Sequence, residues 1–407
     1  MMKDEAEGHR TPDSGLSNSW NQRNQPTSHS MSALPVVILF ANLKGNLGDL
    51  AILHAMLINI EKYFPSAPRI VYSLGHKNVD AMRLMRFLEQ PHPVFQYKGP
   101  APYHEIRRRW AFLKHLQLHR WLKGFLIDRL CARFASMEPF QSMGIYQKVF
   151  LAGGEQWGGF SAGINMVATV GAIYRFNQRI TIFPFSIRQN VIDSYSFETL
   201  KSCFAKISGK VVLRDRLSAQ SLRKVSDRIV EGVDCVFSLA DCVPRNPSLE
   251  KSEDTILTIA VTEEKLGSTM EDLTDAIRRL KNQGIVVRLL TTCEEEDGRG
   301  LSKLGAMLEI DYIAPATWQE AVDELGKSTF VVTNRLHCMI FTFFADVPVV
   351  PLINREKVHG IFSDAGLDCH IMHLNELTLA RVNDYKSRGN QIRVTMRGYL
   401  EKTQKHF

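Results

Sequence analysis

The chain alternates between short, continuously apolar runs and longer segments in which apolar residues recur with a helical period. The runs of the first half are rich in Val, Ile, Leu and Phe at consecutive positions. Strands of this kind are typical of a parallel sheet that helices cover on both faces. The predicted strands of this half are 36–42, 69–75, 149–154, 181–187 and 210–215.

A second strand–helix series follows a polar, proline-containing segment at 244–254, which we predict to be a linker. Its predicted strands are 255–261, 285–291, 329–334 and 347–353. The pattern predicts an α/β protein of two Rossmann-type, doubly wound domains that face a cleft, with ligands beyond the carboxyl ends of the strands. We place the N-terminal domain at 34–243, the C-terminal domain at 255–380 and a C-terminal helical segment at 381–407. Residues 1–33 are rich in Ser, Asn, Gln, Pro and Gly and predict a disordered tail.

Composition narrows the class of protein only slightly. The 407 residues carry a formal net charge of +7, which is too mild to indicate a nucleic-acid partner. The seven cysteines include no C-x-x-C pair, which argues against a disulfide framework and a structural zinc site. No export signal or membrane span is visible. We therefore expect a cytoplasmic protein.

Two glycine-containing turns follow predicted strands. The first contains Gly45, Asn46, Gly48 and Asp49, with Asp49 as the expected helix N-cap, and the second begins with Gly153 and Gly154. Each turn is either a tight structural connection or a place where a ligand approaches the backbone closely. For the first turn, backbone N–H groups at a helix N-terminus offer an anion site.

Two segments bring positive charge to the carboxyl ends of strands. Arg214 precedes Asp215, which is a candidate cap and a candidate partner for an arginine, and a surface ion pair is the structural alternative. In the segment Thr333–Cys338, Thr333 or Asn334 is the expected cap of the next helix, and Arg335 and His337 fall in its first turn. Cations there oppose the helix dipole, which indicates an anionic ligand, and a histidine with a purely structural role is the alternative. Lys357 adds a further cation after the next strand.

The stretch from Arg107 to Arg133 is strongly basic and interleaved with aromatic residues. It predicts either an amphipathic helix on an anionic membrane surface or a helical cover with a solvated basic face. Nucleic acid is a weaker third interpretation.

Taken in order, these motifs resemble the polysaccharide pyruvyl transferase family. The family shares a G-N-x-G-D turn, a glycine turn, an R-D-x-x-S segment, an R-L-H-G segment and a later Lys. Here they correspond to Gly45–Asp49, Gly153–Gly154, Arg214–Asp215 with Ser218, Arg335–Leu336–His337 and Lys357. Cys338 stands where the family usually has Gly.

The resemblance implies a GT-B-like fold and the transfer of a pyruvyl group from phosphoenolpyruvate to two saccharide hydroxyls as a ketal. It implies that Arg335, Leu336, Arg214 and Lys357 bind the donor and that His337 is the catalytic acid or base. The glycine turns and Asp49 would shape either the acceptor side or the cleft wall. We expect no metal and no cofactor beyond the donor, and an acceptor that is either free or lipid-linked. The last case places the protein at the inner face of the membrane.

Two alternatives remain open at this point. One is a GT-B glycosyltransferase that uses a nucleotide-sugar in the same cleft. The other is a non-catalytic, membrane-associated partner in polysaccharide assembly, for which the stretch from Arg107 to Arg133 is the working surface.

Overall fold

A computed structural model describes the chain outside its first 33 residues, with several gaps. The predicted tail, the stretch from Arg107 to Arg133 and all but Asp254 of the predicted linker lie outside the described residues, and the domain boundaries stay predictions. The described residues are 34–43, 45–75, 94–96, 146–157, 176, 179–187, 204–205, 207, 210–243, 254–262, 269–352, 356–367 and 372–404.

The first sheet of the described chain is parallel and has a Rossmann-type strand order. Its strands run β3-β2-β1-β4-β6, which is the order 3-2-1-4-5. The run Val36–Leu39 of its central strand is fully enclosed. The strands are β1 Val36–Asn42, β2 Arg69–Gly75, β3 Val94–Gln96, β4 Lys148–Leu151 and β6 Ile180–Ile182.

A second parallel sheet carries the rest of the N-terminal half. Its order is β5-β7-β8-β9. The sequence predicts a single strand at 181–187, but the structure divides this run into two strands. Phe183 and the bend at Pro184 separate the end of β6 from the start of β7. The four strands are β5 Gly154–Trp157, β7 Phe185–Ile187, β8 Val211–Leu213 and β9 Ile229–Glu231.

The C-terminal half repeats the arrangement of the first sheet. Its parallel strands run β12-β11-β10-β13-β14, again in the order 3-2-1-4-5. The prediction of parallel sheets between helices is therefore confirmed in both halves. The strands are β10 Ile256–Ala260, β11 Val286–Leu290, β12 Asp311–Ile313, β13 Phe330–Thr333 and β14 Val349–Pro351.

Helices follow most strands and bury one face against the sheets. In the N-terminal half they are α1 Leu47–Tyr63, α2 Arg216–Leu222 and the 3-10 helix Cys235–Cys242. Those of the C-terminal half are α3 Met270–Asn282, the π-helical turn Glu294–Gly298, α4 Arg299–Leu308, α5 Trp318–Gly326, α6 Leu336–Phe344, α7 Glu356–Asp364, the 3-10 helix Leu374–Glu376 and α8 Leu379–Gln404.

The two halves meet along α1. Its first residue, Leu47, donates its backbone N–H to the carbonyl of Thr292 beyond β11, at 2.9 Å. Asn46 forms an isolated antiparallel bridge with Cys293. Further along α1, Nδ1 of His54 accepts a hydrogen bond of 3.1 Å from the indole N–H of buried Trp318 on α5. These contacts fix the start of α1 against the carboxyl edge of the C-terminal sheet.

The contact between His54 and Trp318 predicts a loss of stability in mild acid. Burial lowers the pKa of His54 below its usual value of 6.5, and the bond from Trp318 needs an unprotonated Nδ1. The unfolded chain therefore takes up the proton first as the pH falls through about 6.5, and the free energy of unfolding decreases until the pH reaches the folded-state pKa.

Denaturant titrations at intervals between pH 8 and pH 5 measure this effect. The contribution of His54 to the pH dependence of the free energy of unfolding is the difference between the parent and His54→Gln. The variant should show a flatter pH dependence over that window. An identical slope in both proteins would contradict the assignment.

Candidate functional site

The candidate site lies where the carboxyl ends of strands from both halves converge. β1 leads into the turn Gly45–Asp49, β8 leads to Arg214, β11 leads to the acidic turn Glu294–Gly298, and β13 leads to Asn334–His337. This edge is where ligands bind in parallel α/β sheets. The predicted location of the site agrees with this arrangement.

His337 is the most closely confined of the predicted residues. It lies in the first turn of α6, and its side chain is 13% exposed. Its Nε2 is buried, has no hydrogen-bond partner among the described residues, and lies 3.6 Å from Oδ2 of Asp234. Its Nδ1 packs so closely on Gly48 that a Cβ on that glycine would lie 2.0 Å away. Position 48 therefore needs a residue without a side chain. With glycine there, the imidazole of His337 from the C-terminal half packs on the first turn of α1 in the N-terminal half.

Asp234 is a residue of the candidate site that the sequence reasoning missed. It is 1% exposed, and its Oδ1 accepts the backbone N–H of Val236 at 3.0 Å. Its Oδ2 accepts a bond of 2.7 Å from Nη1 of Arg214. Burial alone would raise the pKa of Asp234, but Arg214 and His337 lower it well below its usual range. The carboxylate therefore stays ionised beside the imidazole.

A signal for Asp234 was present in the sequence. Asp234 follows the short strand Ile229–Glu231 by three residues, and a glycine comes directly after that strand. The rule that carboxyl ends of strands carry the site applies to this strand as it does to the others. The strand has only three residues, and that is why its pattern was not recognised.

Arg214 is held rigidly in the protein interior. It is 3% exposed, and its Nε donates to Oγ of Ser186 at 2.8 Å. Ser186 in turn donates to Asp215 at 2.6 Å, and Asp215 accepts the backbone N–H of Ser218 at 2.7 Å as the N-cap of α2. The predicted cap is thus observed. The ion pair of Arg214 is with Asp234 and is buried, so the surface ion pair considered from the sequence is wrong.

Asp49 is not the helix cap that the sequence suggested. The cap of α1 is Asn46, whose side-chain oxygen accepts the N–H of Gly48 at 3.0 Å. Asp49 is half-buried and accepts a bond of 2.6 Å from the amide of Asn42. Burial raises the pKa of Asp49, while His337 and Arg214 act in the opposite direction. Its carboxylate therefore faces the same site as these two residues.

The glycines of the two turns are required for different structural reasons. Gly45 has a φ of 82°, a conformation that favours glycine. A Cβ on Gly153 would lie 2.5 Å from the carbonyl oxygen of Pro184, so this residue is small to let two backbones meet. Gly154 has a φ of 99° and opens β5, and a Cβ on it would lie 3.9 Å from Oδ1 of Asp49. The second turn thus borders the site.

Before the turn Gly45–Asp49, β1 contains a bulge. Phe40 is an extra residue between Leu39 and Ala41, which pair with Tyr72 and Ser73 on β2, and its φ is 66°. Bulges are common beside active sites, where they redirect the side chains that follow. Asn42, at the end of this strand, is the residue that holds Asp49.

Neither residue expected to cap α6 does so. The N-cap is Arg335, with no side-chain cap bond. Asn334 uses its amide to hold both backbone groups of Thr262 beyond β10, at 2.8 and 3.2 Å. Thr333 donates to the carbonyl of Ala260 at 2.6 Å and accepts the N–H of Arg335 at 3.0 Å. These polar residues fix the loop from which Arg335 and His337 project.

Arg335 faces an acidic turn rather than an open pocket. The residue is 6% exposed, and its Nη2 forms ion pairs with buried Asp297 and, at 3.1 Å, with Glu296. Its Nε is buried and has no hydrogen-bond partner in the part of the chain that the structure describes. Burial alone would lower the pKa of Arg335, but Asp297 and its neighbours raise it, so the guanidinium stays charged. The acidic turn was not recognised from the sequence.

The other predicted residues take less central places. Leu336 is the buried first residue of α6. Cys338 points into the core with no exposed surface, and burial raises the pKa of its thiol to about 11. Lys357 lies in the first turn of α7, and its side chain is outside the described part of the structure.

The fold resembles those of two UDP-N-acetylglucosamine 2-epimerases. The Neisseria meningitidis protein, bound to UDP-GlcNAc, is 10% identical with a TM-score of 0.54, over 91% of this chain and 94% of that chain. The Methanocaldococcus jannaschii protein, in complex with UDP-GlcNAc and UDP, is 9% identical with a TM-score of 0.54, over 87% and 92%. The fold is therefore of the GT-B type, which confirms the predicted class.

The sequence identifies the family within that class. The model of the polysaccharide pyruvyl transferase family matches residues 46–356, so the chain belongs to this family. The resemblance inferred from the motifs is confirmed. The family indicates a transferase that acts on polysaccharide. No curated protein sequence matches the chain at a significant level.

Within the part of the chain that the structure covers, no helix has the length and apolar character needed to traverse a bilayer.

The contact between Gly48 and His337 predicts a sensitive position for activity. In Gly48→Ala the new methyl group would displace the imidazole, because the added carbon lies 2.0 Å from Nδ1. A shift of about 1 Å in a catalytic group costs up to about 100-fold in rate, so we expect turnover to fall by 10- to 100-fold.

The matched control is Gly398→Ala on α8, where a Cβ meets nothing within 4 Å. This substitution should leave turnover unchanged and raise the melting temperature slightly, since alanine favours helix. Equal activity of Gly48→Ala and the parent would show that His337 is not seated as the structure indicates.

Proposed function

We propose that the protein transfers the pyruvyl group of phosphoenolpyruvate to two hydroxyls of a saccharide, forming a cyclic ketal and releasing phosphate. Family membership supports a transferase that acts on polysaccharide. The donor and the ketal chemistry are our proposal from the site. The observation that carries it is the confinement of His337 between Gly48 and the Asp234–Arg214 ion pair, with Arg335 in the same loop.

The charges of the site suit this donor. Phosphoenolpyruvate carries a phosphate and a carboxylate, and both are recognised well by the planar fork of arginine. Arg214 and Arg335 come from opposite halves of the chain and are fixed by buried carboxylates. The N-terminus of α6 adds backbone N–H groups that favour an anion. In this proposal Lys357 and Leu336 complete the donor side.

The reaction needs one proton at carbon and loses two from oxygen. The methylene carbon of the donor gains a proton and becomes a methyl group, which makes C2 electrophilic. The two saccharide hydroxyls form bonds to C2 as the bond from C2 to the phosphate oxygen breaks. One hydroxyl proton balances the proton at the methyl group, and the other leaves with phosphate. Arg214 and the backbone N–H groups at the N-terminus of α6 stabilise the departing phosphate.

We assign the proton transfer to His337. Histidine ordinarily titrates near neutrality and serves as acid or base. Because Nε2 of His337 lies next to the ionised carboxylate of Asp234, we assign His337 as the donor of the proton to the methylene carbon. The separation of 3.6 Å between Nε2 and Asp234 exceeds a hydrogen bond, and such contacts often tighten once substrate binds. Asp234 is thus a positioning residue that acts through His337.

The remaining groups border the acceptor. Asp49 interacts with His337 from the N-terminal half, and Gly154 lies next to Asp49, so we propose that the two glycine turns shape the acceptor site. Asp49, whose pKa is raised, is suited to accept a hydroxyl hydrogen. No cofactor is needed besides the donor. A lipid-linked acceptor and a membrane contact through the stretch from Arg107 to Arg133 remain predictions.

Release of phosphate from phosphoenolpyruvate tests this function. The purified protein is incubated with the donor and with saccharide fractions, and both phosphate and a new methyl ketal signal are followed by NMR. We expect one phosphate per ketal, only in the presence of an acceptor. Phosphate release without ketal would indicate a phosphatase, and transfer of a sugar from a nucleotide-sugar would indicate the glycosyltransferase alternative.

A further inference from the structure

The acidic turn beside Arg335 has a composition that the proposed reaction does not explain. Two carboxylates, of Asp297 and Glu296, meet the same Nη2 atom of one guanidinium. Their summed charge with Arg335 is −1, which opposes the arrival of an anion at this arginine. A site for an anionic donor therefore contains an internal competitor.

The two carboxylates differ in their freedom. The side chain of Asp297 is 1% exposed, whereas that of Glu296 is 57% exposed. The backbone of the turn is fixed, since the N–H groups of Glu296 and Asp297 both donate to the carbonyl of Cys293, at 3.2 and 3.0 Å. The Glu296 side chain can thus leave Arg335 for solvent, while Asp297 stays as the permanent partner.

Arg335 also retains an unused donor. Its Nε is buried, and no described residue accepts a hydrogen bond from it. Nη2 carries two N–H groups, so a guanidinium that keeps Asp297 but loses Glu296 can offer one N–H of Nη2 together with the N–H of Nε, and two donors on one edge match the two oxygens of a carboxylate. The group that now occupies part of this edge is itself a carboxylate.

We propose that Glu296 is a displaceable counter-ion that occupies the place of the donor's carboxylate on Arg335. Donor binding exchanges one carboxylate for the other and leaves Asp297 as the fixed partner. The donor's phosphate then lies away from Arg335. This inference rests on the proposed function, because it takes phosphoenolpyruvate as the ligand of this arginine.

The physical consequence is a reduced apparent affinity. Only the fraction of molecules with Glu296 displaced accepts the donor, and the apparent dissociation constant rises in proportion. Glutamine at position 296 keeps the size of the side chain but removes its charge, so it competes poorly. Because ion pairs with an exposed partner are weak, we expect Glu296→Gln to tighten donor binding by about fivefold.

Calorimetric titrations of the full chain with phosphoenolpyruvate and with inorganic phosphate test the proposal. The matched control is Glu295→Gln, which removes the same charge from the neighbouring exposed position of the same turn. We expect tighter binding of phosphoenolpyruvate in Glu296→Gln alone, and phosphate affinity within about twofold of the parent in all three proteins.

Each other result overturns the proposal in a recognisable way. If Glu296→Gln binds the donor saturably but with unchanged affinity, Glu296 is not a displaceable counter-ion. Equal tightening in Glu295→Gln leads to the same conclusion, and either result leaves the proposed function intact. Tighter phosphate binding in Glu296→Gln would place the phosphate on Arg335 and overturn the carboxylate exchange. Absence of donor binding in every protein would remove the counter-ion and the proposed function together.

Discussion

Replacing His337 by glutamine should reduce turnover by a factor on the order of 10² to 10⁴, the range that general acid–base catalysis contributes. Glutamine is similar in length and keeps hydrogen-bonding groups near Asp234, but it does not exchange a proton near neutral pH. Donor binding should stay within about twofold, since the arginines hold the anionic groups. Phosphate release and calorimetry on the same preparation measure the two quantities.

The control for this substitution is His373→Gln, at an exposed position before the 3-10 helix Leu374–Glu376. It should keep parental turnover. If His337→Gln also keeps parental turnover, the histidine has no part in proton transfer and the mechanism fails. A loss of donor binding equal to the loss of rate would instead make His337 a binding residue.

Arg335→Ala should weaken donor binding by an amount on the order of 2–5 kcal/mol, as for the loss of one partner of a desolvated charge pair. The same substitution leaves Asp297 buried without its partner, which destabilises the fold. Arg335→Lys is therefore the informative companion. It keeps the positive charge for Asp297 but lacks the planar fork, so it should fold and still bind the donor about tenfold more weakly.

Arg288→Lys serves as the matched control for this pair. Arg288 on β11 is a buried arginine in an ion pair with Glu324 on α5, in the same half of the chain. Its replacement should lower the melting temperature without changing donor affinity. If Arg335→Lys and Arg288→Lys both leave donor binding unchanged while remaining folded, Arg335 does not contact the donor.

Much of the architecture was predictable because local patterns of apolar residues determine the strands and helices. Runs such as Val36–Leu39 are apolar at every position, and such strands need helices on both faces. The carboxyl-end rule then located Gly48, Arg214 and His337 at one edge without any knowledge of contacts. The order of the motifs identified the family, and the family match over residues 46–356 confirms it.

The partners of these residues were not predictable, because they depend on contacts between distant parts of the chain. Asp234 and His337 belong to different halves, and they meet where the 3-10 helix after Asp234 packs on α6, as in the contact between Phe237 and Phe343. Arg335 is likewise neutralised by a turn 39 positions away from it. The sequence predicts that Arg335 binds an anionic ligand, whereas in the structure its guanidinium already pairs with two carboxylates of the protein.

Local competition explains the errors in helix capping. Asp49 and Asn334 have good capping chemistry, but each is engaged elsewhere, Asp49 with Asn42 and Asn334 with Thr262. Asn46 takes the cap of α1 instead. Side chains at a site satisfy tertiary contacts first, so propensity alone misplaces them.

The most direct test of the central claim is a calorimetric titration of the purified protein with phosphoenolpyruvate, with and without a mixture of UDP- and GDP-sugars. We expect saturable binding that the sugar nucleotides do not displace and that Arg335→Lys weakens. Binding of a sugar nucleotide alone, with no heat from phosphoenolpyruvate, would contradict the pyruvyl transfer that we propose and would favour a glycosyltransferase.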